Sequence, residues 1–111
     1  MSSLSNYDIA HNVFEKHMED ILIYTFGSIK NRYGVDFREL YKKEIDLLDA
    51  NFSFYCDVLL ELEIVITGDM LYGWLVDELF RGFGNIKYLM MIKRISNNMA
   101  DEIMKEVQDG Q

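Results

Sequence analysis

Eight residues, Tyr41, Ile45, Leu48, Phe52, Tyr55, Leu59, Leu62 and Ile66, recur at steps of 4-3-4-3-4-3-4. That register places them on one stripe of an α-helix, whereas a half-buried strand would need every second residue. It predicts one long helix, or two nearly collinear ones, with a coiled-coil-like seam. Phe52 to Tyr55 and Leu62 to Thr67 are rich in aromatic and β-branched residues, so a short β-hairpin within 52–67 is the competing reading. A break would then fall at Asp49-Ala50-Asn51. The unbroken period outweighs propensity.

The rest of the chain has the same helical grain. Proline is absent, so nothing along it fixes φ or removes a backbone donor. Phe14, Met18, Ile21, Thr25, Ile29 and Tyr33 predict an amphipathic helix over 6–33, capped by Ser5 or Asn6 and stopped by Gly34. Gly27 inside it would cost about 1 kcal/mol relative to alanine. Asp36 and Glu39 have the form of a capping box that opens the next helix, with Val35 and Leu40 placed as a staple. Thr67-Gly68-Asp69 reads as a stop followed by an N-cap at Asp69. A helix with Leu71, Trp74, Leu75, Leu79 and Phe80 should follow and end at Gly82-Phe83-Gly84. Asn85 is placed to cap a last helix running to about Val107, with Leu89, Ile92, Ile95, Met99, Ile103 and Val107 inward. The expectation is a single all-α domain over 1–111, a compact bundle of four to five helices. Half of its residues are apolar, enough for one core.

Charge narrows the function classes. The net charge is −8, and from Glu44 to Phe80 nine carboxylates occur with no Lys or Arg. A 37-residue block of that kind repels nucleic acid and anionic lipid, so neither direct nucleic-acid binding nor a membrane is expected. Met1 to Asp8 has no basic and apolar run of a signal-peptide kind, and the single Cys56 suits a reducing compartment. Both favour a cytoplasmic protein.

Chemistry-bearing motifs are sparse. Gly68 before a helix start could suit a phosphate, but Asp69 occupies the helix dipole there. Asp49-x-Asn51-x-Ser53 with Asp57 resembles half of a calcium loop, but Phe54 stands where the turn needs glycine and Leu60 where the bidentate acid belongs. His11 and Glu15 are an i,i+4 pair, and His17 lies about 240° around the helix from His11. A zinc site needs three or four ligands, so neither metal nor cofactor is expected. Cys56 reads as a buried, inert thiol. No nucleophile–base pairing stands out, and the chain is not expected to be an enzyme.

Binding remains. Glu44, Asp46, Asp49, Asp57, Glu61 and Glu63 would extend for roughly 28 Å along a helix, with Asp77 and Glu78 beyond them. Such a row suits a basic protein surface, including the groove of a nucleic-acid-binding protein. Tyr72 and Phe83 belong to an aromatic, Met-rich corner of the kind enriched in interfaces. In composition, though not in motif, the chain resembles small acidic nucleic-acid mimics such as phage anti-restriction proteins, and toxin-immunity proteins. That resemblance implies an inhibitor or adaptor of anti-defence or immunity type. Self-association as a homodimer or assembly subunit through apolar helix faces is the alternative expectation.

Overall fold

The computed structural model describes residues 4–110. They form five helices: α1 (Asn6–Phe26), α2 (Phe37–Leu40), α3 (Lys42–Glu61), α4 (Gly68–Phe83) and α5 (Leu89–Asp109). No strand occurs among the described residues, which make an all-α bundle. Residues 52–61 are helical, so the hairpin alternative fails, and only an isolated bridge between Lys30 and Asp36 is β-like.

α1 is the central element, packed on one side against α3 and on the other against α5, which in turn carries α4. The heptad residues account for the α3 contact. Ile45, Leu48 and Phe52 are buried, and the Phe52 ring lies 5.3 Å from that of Phe14 on α1. Full burial of one such side chain contributes about 1.5–3 kcal/mol. The register runs out at the end of the helix, where Leu62 is exposed. Ile66 is buried from the loop that follows. On α5, Ile92, Ile95, Met99 and Ile103 face inward as expected, while Leu89 is exposed.

Several helix ends and caps differ from the sequence expectation, each for a local reason. α1 stops at Phe26, about two turns before Tyr33, because Gly27 takes the left-handed conformation (φ 88°) and its N–H bonds the Ile23 carbonyl. Past it, the Asn31 side chain accepts from the N–H groups of Tyr33 and Val35, an alternative to helix that leaves Tyr33 exposed. Asp36 does cap α2, through the Arg38 N–H, but Glu39 makes no reciprocal bond among the described residues. The cap of α4 is Thr67, whose hydroxyl accepts from the Met70 N–H, and Asp69 lies in the first turn. Gly68 serves close packing rather than a stop, since a Cβ there would lie 2.9 Å from the Asn97 Cα on α5.

Asn85 does not cap α5, which begins four residues later. Its amide donates to the Thr25 carbonyl at 3.1 Å. With the Lys87 and Tyr88 N–H groups, which reach the Tyr24 and Thr25 carbonyls, it closes the C-terminus of α1. Gly84, as expected, ends α4 in the left-handed region at φ 71°. A cluster of stacked and edge-on rings, Phe26, Phe37, Tyr41 and Phe83, with centroids 4.2–6.1 Å apart, ties this end of α1 to α2 and α4.

Candidate functional site

α3 and α4 do not close on one another. Both are anchored to the central α1–α5 pair, and the gap between them is bridged by Trp74. Its ring stacks on Tyr55 at 5.4 Å and meets Phe52 edge-on at 5.7 Å. The result is a groove with Asn51, Phe54, Tyr55, Val58 and Trp74 along one stretch. Leu47, Phe83 and Glu44 line its continuation, and Glu78 borders both.

The outer wall of that groove has its own period. Glu44, Leu47, Asn51, Phe54, Val58 and Glu61 follow one another at steps of 3-4-3-4-3 on α3, a second stripe beside the core seam. Leu47 and Phe54 are each 63% exposed, Val58 is 40% exposed, and a carboxylate stands at either end. Apolar residues at heptad spacing are thus left uncovered along this stripe.

The expected acidic row is partly broken up. Glu44, Glu61 and Glu63 are exposed and Asp57 half-buried, and none of the four has an ion-pair partner among the described residues. Asp46 is paired with Lys42 at 3.0 Å, and Asp77 and Glu78 share Arg81 at 2.8 and 2.9 Å. Asp49 departs from the expected partner-binding surface altogether. It is buried at 7% exposure and bonded inside the bundle, because it lies beside Leu48 on the seam that faces α1. Glu63 takes a left-handed conformation (φ 59°) just past α3, so the row leaves the helix there. Of the aromatic candidates, Phe83 reaches the groove. Tyr72 is half-buried with the Lys93 ammonium 5.1 Å from its ring centre.

Two polar clusters flank α1. Toward α5, Glu102 receives Lys16 at 2.6 Å and His17 at 2.5 Å. Burial pushes its carboxyl up, but those two hydrogen bonds outweigh it and hold the group below the ordinary carboxylate range. Toward α3, the Asp49 carboxylate meets His11 Nδ1 at 2.9 Å and accepts from the Ser53 hydroxyl at 3.2 Å. The hydrogen bond to Asp49 raises the His11 imidazole above its usual value, against the effect of burial. Glu15, beside them, is also raised, first by burial and then by the neighbouring Asp49 carboxyl.

The calcium-loop reading is excluded, since 49–60 lies within continuous helix. The helix start at Gly68 carries the Asp69–Lys93 ion pair, which satisfies both charges. Cys56 is buried, and burial pushes its thiol up to about 12, far from a reactive thiolate.

These features define a small all-α bundle with an uncovered apolar stripe on α3. Compared with known families, with curated proteins and with solved structures, the chain matches none. Among the described residues, no helix is long and apolar enough to cross a membrane.

Proposed function

We propose that this chain is a non-enzymatic interaction protein that receives a basic amphipathic helix of a partner protein in the α3–α4 groove, and so acts as an inhibitor or adaptor in the cytoplasm. The observation that carries the reading is the uncovered Leu47–Asn51–Phe54–Val58 stripe, with Glu44 and Glu61 at its ends and Glu78 on the facing helix. Apolar knobs at heptad spacing favour a helix as the occupant. The carboxylates around them favour a lysine- or arginine-bearing one, because a second copy would bring the same charges face to face. A nucleic-acid-binding protein is one source of such a helix.

Trp74 lines the groove and is the chain's single tryptophan, so its fluorescence reports occupancy directly. A synthetic amphipathic helix with leucine on one face and lysine on the other should bind, change the Trp74 emission and weaken steeply with salt. Phe54→Glu should cost about 2 kcal/mol or more of binding, as for a central interface residue. Replacing Glu44, Glu61 and Glu78 by glutamine should remove most of the salt dependence. Equal binding of a glutamate-faced peptide, or a homodimer in light scattering that Phe54→Glu dissociates, would overturn the reading in favour of self-association.

A further inference from the structure

Two carboxylates and an imidazole converge between α1 and α3, with no Lys or Arg paired to the two acids among the described residues. His11 and Glu15 are one turn apart on α1 and share a face, and Asp49 reaches them from α3. One donor atom from each, a His11 ring nitrogen and a carboxylate oxygen from each acid, lies within 4.8 Å of the other two. Among the described residues this is the only group of three such donors. The electrostatics around it are one-sided. Asp8 and Asp46 add negative field, Lys42 is engaged by Asp46, and Lys16 is engaged by Glu102. No Lys or Arg pairs with Glu15 or Asp49 among the described residues.

Adjacent carboxylates, one of them buried, repel unless a cation stands between them. Two carboxylates and one neutral imidazole carry two negative charges, which a divalent ion balances. The imidazole selects against calcium and magnesium, which take oxygen donors. Tetrahedral metal–nitrogen and metal–oxygen bonds of about 2.0–2.2 Å put two donors on one ion about 3.3–3.6 Å apart. Closing the widest spacing of 4.8 Å to that value takes an inward move of roughly 1.2–1.5 Å, and Glu15, exposed at the edge of the cluster, can supply it by rotamer change. Ser53 already orients the Asp49 carboxylate, as supporting groups do around metal ligands.

We propose that His11, Glu15 and Asp49 form a site for a zinc-class divalent transition-metal ion that pins α1 to α3 and leaves its remaining coordination to water. Calorimetric titration of the chelator-stripped full chain with zinc chloride should give one site per chain, and zinc should raise the melting temperature. Cobalt(II) should give visible d–d absorption at the same stoichiometry. His11→Gln and Glu15→Gln lie at partly or fully exposed positions where folding can be verified by circular dichroism. Each should weaken zinc binding by about tenfold or more, since even loss of a supporting group costs 10–100-fold. His17→Gln should leave the affinity unchanged. Absence of zinc binding, equal binding of calcium, or zinc binding undiminished in both His11→Gln and Glu15→Gln would overturn the site and leave a His11–Asp49 ion pair in its place.

Discussion

α1 meets α5 and α3 through the same kind of polar contact, a histidine against a carboxylate, yet the two are compensated differently. On the α5 side Lys16 joins His17, so Glu102 is doubly matched. On the α3 side the third member is Glu15, and the carboxylates outnumber the only group that can be positive. Both faces of α1 thus hold a histidine against an acid. What distinguishes a structural pair from a candidate ligand site is the charge of the next neighbour.

The comparison can be broken first at the apolar contacts beneath each cluster. Phe14→Ala should destabilise the protein by about 3–5 kcal/mol in urea unfolding, because the Phe14–Phe52 contact, not the polar cluster above it, holds α3 to α1. A loss below about 1 kcal/mol would mean that the His11 cluster carries the α3 side. Gly68→Ala should cost about 1–3 kcal/mol by overpacking, since the added Cβ meets Asn97, including its backbone. A neutral result would show that α4 and α5 can separate as readily as α3 and α4.

The pH dependence sharpens the contrast further, because the two clusters act in opposite directions. Glu102 is held below its ordinary value in the fold. Its contribution is present above the unfolded carboxyl value and is lost as pH falls through the folded one. His11 is raised, so its contribution in metal-free protein is full below the usual histidine value of 6.5 and is lost as pH rises through the folded one. Glu15, also raised, acts in the same sense as His11 at lower pH. Melting temperature against pH should therefore lose part of its acid limb in Glu102→Gln and part of its decline above neutrality in His11→Gln. A shared change in both variants would mean that the clusters are coupled through α1.

The smallest expected effect concerns the end of α3. Glu63 occupies the left-handed position of a Schellman-type stop, in which the Ile64 N–H bonds the Leu59 carbonyl and the Glu63 N–H bonds that of Leu60. Glu63→Gly relieves a left-handed strain of about 1–2 kcal/mol and costs about 0.5–1 kcal/mol of chain entropy. A net stabilisation of about 0.5 kcal/mol is expected from thermal unfolding.

The elements most legible from sequence were those set by periodicity and local capping: the α3 seam, the inward face of α5, Ser5 before α1 and Gly84 after α4. Period alone could not end α1, because Ile29 and Tyr33 continue the spacing after Gly27 has already turned the backbone. The groove was hidden for a related reason. Leu47, Phe54 and Val58 look like further core material until α4 is seen to stand away from them. Two of the three members of the His11–Glu15–Asp49 cluster are visible in the sequence, as His11 and Glu15 at i,i+4. Asp49 reads from sequence as part of the acidic surface, because only the rotation of α3 against α1 turns it inward.

The closure of α1 by Asn85, Lys87 and Tyr88 bears on the order in which the chain can fold. The carbonyls of Tyr24 and Thr25 find these partners about sixty residues later in the chain. Until residues 85–88 have been synthesised, a nascent α1 ends in water, so its last turn should fray. Completing it requires closure of a loop spanning more than half the chain, the kind of distant contact that slows folding. Of the five helices described, α1 is made before the others and yet finished only when residues 85–88 join it.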